Sequence, residues 1–372
     1  MKISPKAKRN ISRIIPFAII WVLSGWIVDV TEFGVTRNQN LNPDTDIALT
    51  VPVFIFASIA NAVVGLMLGA LEVVYLEKRF SNQSLWVKLF YKFFTYLTLF
   101  IIIIVILYPL ALALESGVSL LAVDAWQQLG RFLVSISFFV TLFHLSVRVI
   151  VSLIYSTISE NLGHHLFLNF FSGKYHQPKI EKRIFMFLDM KSSTTIAEAL
   201  GHIKYFKLLD TYYKIMSDSI INSFGEVYQY IGDEIVISWK TDKGINQANC
   251  IKCFFDIRNR LNEQKEVLFH EFGFEIGFKA GIHFGEVTIG EIGALKKEIV
   301  FTGDVLNTTA RIQSLCKELK SDLLISGAIK ELLPHSNYQY SSKGEIELKG
   351  RKKKEELFSV TLEKKPTIAN TM

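Results

Sequence analysis

The sequence predicts an α+β protein in which a four-helix transmembrane domain precedes a ferredoxin-like domain of β-α-β-β-α-β order. The first part follows from composition, because half of the 372 residues are hydrophobic and the long uncharged stretches all lie before residue 160. The second part follows from periodicity, because short strand-like apolar runs alternate with helical spacing from about residue 180 onward. A mean hydropathy of +0.29 excludes both an ordinary soluble enzyme and a disordered chain.

The membrane part contains four uncharged stretches, at residues 14–28, 47–71, 93–114 and 132–147. A bilayer core requires about 20 apolar residues of helix, so we interpret all four as spans, the last extended past Arg148 to residue 159. The first stretch follows a basic tail, as the core of a signal peptide does. No small-residue cleavage site follows it, so we expect a retained anchor.

The distribution of Lys and Arg predicts the orientation of the spans. Basic residues concentrate in the N-terminal tail and between the second and third spans, and such residues are retained on the cytoplasmic side. We therefore expect a multi-pass protein of the inner (plasma) membrane, with its N-terminus and its C-terminal half in the cytoplasm. The lipid membrane is the expected partner of this part, and the sequence leaves open whether a ligand binds there.

Two charged residues belong to the spans: Glu72 directly follows the second uncharged stretch, and Arg148 lies in the extended fourth. Charged side chains inside a membrane are costly, so both are candidates for a function. Both lie toward the cytoplasmic ends of their helices, and we hypothesise that they form an ion pair. The alternative is that Arg148 extends its long side chain to the membrane surface.

Charge and cysteine content limit the possible partners. Lys and Arg exceed Asp and Glu by 12 to 9 before residue 161 and by 29 to 26 after it, which is +3 in each part. So weak an excess excludes nucleic acid as an expected partner. Three cysteines do not support a disulfide framework, and they are typical of a reducing compartment. Cys250 and Cys253 lack a second ligand pair at zinc spacing, so we interpret them as two thiols.

The second domain is predicted to contain two rounds of strands and helices. The first round has a strand over residues 183–190, a helix over 203–224 and a hairpin over 226–239. The second round has a helix over 246–261, strands within 274–289 with a turn at Gly285, a helix over 304–317 and a strand over 323–326. The expected domains are a tail, the membrane domain, a coupling segment, the second domain and a C-terminal tail, at residues 1–13, 14–155, 156–180, 181–362 and 363–372.

Two carboxylates are expected to lie together, because Asp189 ends the first strand and Asp233 occupies the turn of the hairpin beside it. Such a pair cannot stay fully ionised at close range without a cation, so we infer a metal site, and hard oxygen ligands favour Mg²⁺ or Mn²⁺. Ser193 and Thr194 begin a helix whose free N–H groups can bind phosphate. Taken singly, Asp233 is equally explained as a turn residue, and the two hydroxyl residues as helix caps.

A second group of polar residues follows Gly303-Asp304. Asn307 and Arg311 are four residues apart in the predicted helix, so they project from one face. A lone surface arginine is usually only solvated. The pair is therefore evidence for a site only in combination with the motifs that precede it.

Four motifs in this order resemble the class III nucleotide cyclases, the adenylate and guanylate cyclase catalytic domain. The motifs are Phe187-x-Asp189-x-x-x-Ser193-Thr194, Tyr230-Ile231-Gly232-Asp233-Glu234, Gly281-Ile282-His283-Phe284-Gly285-Glu286-Val287 and Gly303-Asp304-Val305-Leu306-Asn307-Thr308-Thr309-Ala310-Arg311. The resemblance covers about residues 180–362. The membrane part is similar to that of the four-span, membrane-anchored bacterial type.

The resemblance implies a homodimer that converts ATP to 3′,5′-cyclic AMP and pyrophosphate, with the ribose 3′-hydroxyl as the attacking group. Asp189 and Asp233 match the two metal-binding aspartates, which implies two Mg²⁺ or Mn²⁺ ions per active site. Asn307 and Arg311 match the pair that the other protomer supplies, Asn orienting the ribose and Arg stabilising charge on the α-phosphate. Lys349 matches the lysine that holds the terminal phosphates.

The positions that read the purine depart from the family pattern. At the position of Gln229, adenylate cyclases usually have Lys and guanylate cyclases usually have Glu. At the position of Val300, adenylate cyclases usually have Asp or Thr and guanylate cyclases usually have Cys. Gln229 can donate and accept, whereas the side chain of Val300 makes no hydrogen bond, which leaves Thr302, Lys296 or Lys297 to substitute for it. We expect ATP as substrate, because bacterial enzymes of this type mostly make cyclic AMP, and GTP stays open.

Two further alternatives stay open beside a guanylate cyclase. A diguanylate cyclase also uses a turn aspartate, but that interpretation gives Asn307 and Arg311 no role. A receptor or scaffold whose cyclase fold no longer catalyses is the other alternative. The presence of all five expected metal, ribose and phosphate residues argues against that loss.

Overall fold

The computed structural model describes residues 3–36, 47–79, 83–117, 119–120, 122–162, 173–333, 338–348 and 354–362. The chain divides into two compact units, one of residues 7–169 and one of residues 1–6 and 170–372. The first unit is helical, and the second combines a mixed sheet with helices. The predicted α+β class, with apolar helices before a sheet domain, is confirmed.

The helical unit has six α-helices in the part that the structure describes: α1 (Pro5–Thr36), α2 (Val51–Ala70), α3 (Glu77–Arg79), α4 (Leu85–Ser116), α5 (Val123–Leu133) and α6 (Ile136–Leu162). A π-helical turn, Leu71–Leu76, continues α2. Four stretches among the described residues are long and apolar enough to cross a membrane: Pro5–Val35, Val51–Leu76, Trp86–Ser116 and Ile136–Glu160. The prediction of four candidate spans is therefore confirmed.

The fourth span begins later than the sequence predicts. Phe132 belongs to the preceding helix α5, where it lies on the buried face with Ala125 and Leu129. The chain then turns, and the hydroxyl of Ser135 accepts a hydrogen bond from the N–H of Phe138 at 3.3 Å. This contact caps the first turn of α6 and separates it from α5.

The hypothesis that Glu72 pairs with Arg148 is wrong. Glu72 lies in the π-helical turn, where Lys92 forms an ion pair with its carboxylate and the Tyr96 hydroxyl donates to it. Arg148 instead donates to the side-chain oxygen of Asn61 at 3.0 Å. The cation that pairs with Glu72 is Lys92, which precedes the uncharged stretch of the third span. The sequence did not reveal it because the helix begins at Leu85, before that stretch.

The second unit is built on a mixed sheet of eight strands among its described residues, in the order β2-β3-β1-β4-β6-β8-β7, with β5 paired to β4. The strands are β1 (Lys179–Met190), β2 (Glu226–Ile231), β3 (Glu234–Lys240), β4 (Phe278–Ile292), β5 (Glu298–Thr302), β6 (Leu323–Ser326), β7 (Tyr338–Ile346) and β8 (Glu355–Leu362). β4 and β6 are parallel, and the other pairs are antiparallel.

The helices of this unit are α7 (Ser193–Asn222), α8 (Thr241–Ile245), α9 (Asn249–Glu263), α10 (Lys265–Phe272), α11 (Asp304–Ser314) and α12 (Gly327–Leu332). A short 3₁₀ turn, Asn246–Ala248, precedes α9. β1-α7-β2-β3-α9-β4 is the predicted β-α-β-β-α-β order, and the sheet order β2-β3-β1-β4 is that of a ferredoxin-like sheet. This part of the prediction is confirmed, with β5 to β8 as additions.

Alternation along β1 separates the two faces of the sheet. Ile184, Met186 and Leu188 pack with residues of α7 and α9 in the largest hydrophobic core. Phe185 and Phe187 point to the opposite face, in a second core that includes residues of β5 and α11. The central strands are therefore covered on both sides, and their ends are the accessible parts.

The predicted turn at Gly285 is wrong, because β4 runs unbroken from Phe278 to Ile292. Gly281 and Gly285 are instead the positions where α11 approaches the strand. A Cβ atom at Gly281 would lie 2.5 Å from the backbone nitrogen of Gln313, and one at Gly285 would lie 3.1 Å from Cβ of Val305. The glycines are needed for close contact between helix and strand.

Candidate active site

The two aspartates come together at the ends of neighbouring strands. Asp189 lies one residue before the end of β1 and pairs in register with Glu234 at the start of β3. Asp233 occupies the turn between β2 and β3, after Gly232, whose φ of +63° favours glycine. The hydroxyl of Tyr213 donates to the carbonyl oxygen of Gly232 at 2.7 Å and holds this turn. As a result, the carboxyl group of Asp233 lies near enough to that of Asp189 to raise its pKa.

The electrostatics of this site favour an added cation. Burial raises the pKa of Asp189, and the neighbouring Asp233 raises it further, against the effect of Lys279. Burial, together with the charges of both aspartates, raises the pKa of Glu234 to about 7. Neighbouring carboxyl groups thus raise the pKa of both Asp189 and Glu234. Carboxylate oxygens in this state suit a hard divalent cation such as Mg²⁺ or Mn²⁺, so the residues fit the metal implied by the resemblance.

Asp189 also receives two donors from its own chain that the sequence did not reveal. The ammonium group of Lys279, its register partner in β4, lies 3.2 Å from Oδ2 of Asp189. The side-chain amide of Gln313, in α11, donates to the same oxygen at 3.1 Å. Strand alternation could have indicated Lys279, which lies two residues before Gly281. Gln313 depends on how α11 packs, and no local signal indicates it.

The predicted phosphate seat follows directly after Asp189. Ser192 adopts a left-handed conformation with φ 56°, and α7 begins at Ser193. The N–H of Ile196 is the first to be bonded within the helix, to Ser192, so the N–H groups of Ser193 and Thr194 precede the helical pattern. The Ser193 hydroxyl also interacts with the phenol of Tyr205. Both predicted residues therefore lie at a helix N-terminus near the two aspartates.

Asn307 and Arg311 lie one turn apart on α11, away from its buried face. Asn307 is exposed and Arg311 is partly exposed, whereas Thr308, Thr309 and Gln313 are buried against the sheet. In the portion of the chain that is described, no hydrogen bond or ion pair joins Asn307 or Arg311 to Asp189 or Asp233. One chain thus presents Asn307 and Arg311 on the accessible side of α11 and keeps Gln313 on the buried side.

The positions predicted to read the purine flank a contact between β2 and β5. A bulge interrupts the β2–β3 register between Val227 and Gln229, so Tyr228 leaves the regular pairing. Its ring stacks on Phe301 with centroids 4.5 Å apart, and its hydroxyl accepts a hydrogen bond from the Phe301 N–H at 3.2 Å. Gln229 is therefore next to one member of this contact.

Val300 and Thr302 adjoin the other member, Phe301, one on each side of it in β5. Thr302 is exposed, as is Gln229 on β2. The Tyr228–Phe301 contact could not be predicted, because an apolar pattern does not reveal the bulge that directs Tyr228 toward β5. The predicted phosphate lysine, Lys349, lies outside the described residues.

Known proteins resemble the unit that holds these residues. The family described as Adenylate and Guanylate cyclase catalytic domain matches residues 176–361. Adenylate cyclase 2 of Rhizobium meliloti (strain 1021) is 34% identical over 205 residues, which are 55% of this chain and 56% of that protein. Guanylate cyclase soluble subunit beta-2 of Rattus norvegicus is 25% identical over 204 residues, 54% of this chain and 29% of that protein.

A solved structure, of a bacterial light-regulated adenylyl cyclase, aligns with a TM-score of 0.51 and 19% identity, over 59% of this chain and 65% of that one. At that identity the likeness concerns the fold alone. The aligned regions cover less than two thirds of each of these three proteins.

Proposed function

The chain belongs to the family of adenylate and guanylate cyclase catalytic domains, and on that premise we propose that it is a membrane-anchored adenylate cyclase. It converts ATP to 3′,5′-cyclic AMP and pyrophosphate at sites that two copies of the chain complete together. The observation that carries the proposal is the adjacency of Asp189 and Asp233 at the strand ends, next to the first turn of α7.

Class III cyclases are metal-dependent, and Asp189 and Asp233 are the residues that would hold the metal, as two Mg²⁺ or Mn²⁺ ions. Bound there, the ions would lower the pKa of the ribose 3′-hydroxyl and offset the negative charge of the pyrophosphate leaving group. The chain itself fixes Asp189 through Lys279 and Gln313, which both contact Oδ2. Its other oxygen, Oδ1, is then the one available for a cation.

The remaining residues bind and orient the nucleotide. The N–H groups of Ser193 and Thr194 bind phosphate oxygens at the positive end of the α7 dipole. Arg311 of the second copy supplies fixed positive charge where negative charge develops on the α-phosphate, and Asn307 orients the ribose. Lys349 binds the terminal phosphates.

The positions of Asn307 and Arg311 support a homodimer. They face away from the buried side of α11, and within one chain they make no bond to the aspartates in the described region. A second copy placed head to tail would bring these groups to the carboxylates and create two equal sites, as a closed two-fold assembly does. A monomer would then lack a complete site.

ATP is the proposed substrate. The side-chain amide of Gln229 can both donate and accept, and Val300 leaves the neighbouring position apolar, with Thr302 as the nearest hydroxyl. Adenylate cyclases stand among the relatives, which favours ATP. A guanylate cyclase relative and the versatile amide of Gln229 make cyclic GMP the second candidate product.

The four apolar helices support a multi-pass membrane protein. We place residues 1–13 and the catalytic domain, residues 181–362, in the cytoplasm under the inner (plasma) membrane. Residues 14–155 form the anchor, residues 156–180 couple it to the catalytic domain, and residues 363–372 form a tail. The basic segments on the cytoplasmic side support this orientation.

The test is a product assay on purified full-length protein, given ATP or GTP at equal concentration with Mg²⁺ or Mn²⁺. We expect cyclic AMP to dominate. Asp189→Asn and Asp233→Asn should each lower the rate at least about 1000-fold, which is ~4 kcal/mol of transition-state stabilisation. Predominant cyclic GMP would assign the second candidate, and absence of both products would refute a cyclase.

Mixed expression tests the composite site. Asp189→Asn and Arg311→Ala are each expected to be inactive as homodimers. Expressed together at equal levels, they should recover about a quarter of the wild-type rate, because half of randomly formed dimers are mixed and each has one complete site. Failure to recover any product would refute the head-to-tail arrangement while leaving the metal assignment intact.

A further inference from the structure

Gln313 is a buried polar residue whose side chain is hydrogen-bonded to Asp189. Only 5% of its surface is exposed, and its amide donates to Oδ2 of Asp189 at 3.1 Å. The two residues are separated by 124 positions in sequence and belong to different elements, α11 and β1. Burying an amide costs free energy unless the amide is hydrogen-bonded, so the bond to Asp189 offsets the cost of burying Gln313.

The helix that carries Gln313 has two faces with different roles. Asn307 and Arg311 lie on the accessible side, where the proposed function assigns them to the partner's site. Gln313 lies on the side packed against β4, and its amide reaches the metal-binding aspartate of its own chain. One helix of 11 residues therefore contacts the metal side of one site and supplies the ribose and phosphate side of the other.

The contact leaves one oxygen of the aspartate for the cation. Gln313 and Lys279 both contact Oδ2, from α11 and β4 respectively. A carboxylate fixed at one oxygen cannot rotate freely about its χ2 bond, so the direction of Oδ1 is set before a cation arrives. Groups that orient a metal ligand in this way commonly change metal affinity by 10- to 100-fold when they are removed.

We infer that Gln313 is a positioning residue that acts through the Asp189 of its own chain, and so tunes metal binding at the site opposite the one its helix serves. The inference rests on the proposed function. It predicts that replacing Gln313 changes metal binding at the site that contains the Asp189 of the same chain, and not at the site that receives Asn307 and Arg311 from that chain.

Gln313→Met tests this inference, because methionine has a similar length and no donor. In the full-length homodimer without nucleotide, the Mn²⁺ concentration for half-saturation, measured by electron paramagnetic resonance of the free ion, should rise about tenfold, or ~1.4 kcal/mol. Gln339→Met, the same change at an exposed position in β7, is the control and should leave it unchanged. An unchanged half-saturation in Gln313→Met would overturn the inference.

Mixed dimers separate a role toward Asp189 from a structural role in α11. One chain carries Arg311→Ala and provides the intact aspartates, and the other carries Asp189→Asn and provides the intact helix. Affinity tags of two kinds isolate the mixed dimer, which has one complete site. Gln313→Met placed in the aspartate chain should raise the Mn²⁺ requirement of the reaction about tenfold with little change in the rate at saturation.

The same substitution placed in the helix chain should leave the Mn²⁺ requirement within about twofold of the parent dimer. Equal effects from both placements, or an effect only from the helix chain, would overturn the inference. If the methionine variant does not assemble, Gln313→Leu replaces it with the same expectations. Activity in the parent mixed dimer establishes the proposed function first, so a failure of that function is distinguished from a failure of the role of Gln313.

Discussion

Replacing Gly281 by alanine tests whether the seating of α11 on β4 controls the reaction. The new Cβ atom would lie 2.5 Å from the backbone nitrogen and 2.8 Å from Cα of Gln313, and 2.9 Å from the carbonyl oxygen of Thr309. These are backbone atoms of a helix, so no side chain can rotate to relieve the contact. Since carbon atoms in contact prefer about 3.5–4.0 Å, α11 has to move by about 1 Å.

That displacement is large enough to measure in the rate. A shift of about 1 Å in a positioning group can cost about 100-fold, and overpacking costs ~1–3 kcal/mol of stability. We therefore expect the rate of cyclic nucleotide formation by full-length Gly281→Ala at saturating ATP and Mn²⁺ to fall about 100-fold. The movement carries Asn307 and Arg311 with the helix, so the loss should persist when more substrate is added.

Two glycines in the same region provide matched controls. A Cβ at Gly277 would meet only the flexible end of Lys191 at 3.4 Å, so Gly277→Ala should stay within about twofold of wild type. A Cβ at Gly285 would lie 3.1 Å from Cβ of Val305, a side chain that can yield slightly, so Gly285→Ala should lose about tenfold. Wild-type activity in Gly281→Ala, or equal losses in all three variants, would refute the reasoning.

Three further outcomes are expected. Glu72→Gln and Arg148→Gln should act additively on the thermal stability of the detergent-purified protein, because Glu72 and Arg148 have different partners. The coupling energy between the two changes should be below about 0.5 kcal/mol, and a larger value would indicate that the two side chains do interact. Tyr228→Phe should speed hydrogen exchange of the Phe301 amide about fivefold, since a hydrogen bond of ~1 kcal/mol is lost, and unchanged exchange would contradict the observed bond. Burial raises the pKa of the thiols of Cys250, Cys253 and Cys316 to about 12. At pH 8 these thiols should therefore react with iodoacetamide only after the protein is denatured. Mass spectrometry that detects labelling of the folded protein would contradict this expectation.

The sequence predicted best where one local pattern determines the structure. The run Leu323–Ser326 is a short apolar stretch between polar residues, and it forms β6 over the predicted residues. The adjacency of Asp189 and Asp233 was predictable because one ends a strand and the other occupies a hairpin turn, so pairing of the strands brings them together. A helix start at Ser193 was expected, but the helical spacing indicated only residues 203–224, because Gly201 interrupts α7.

The rest of the site depends on contacts between distant segments. Gly285 resembles a turn residue in the sequence, but the structure requires it for the approach of Val305. Gln313 and Lys279 meet at one oxygen of Asp189 only after α11 and β4 have packed. Such contacts are set by strand register and helix position, and neither is encoded in the spacing of nearby residues.

The π-helical turn Leu71–Leu76 sets the rotation of one half of its span relative to the other. A turn of this kind contains one residue more than the α-helical turn it replaces, and it shifts the residues beyond it by about 100° around the axis. Glu72 lies in this turn with only 1% of its surface exposed. Deleting one residue from this turn would therefore rotate the helix before it by about 100° relative to the helix after it, so the register between the two halves of this span depends on the extra residue.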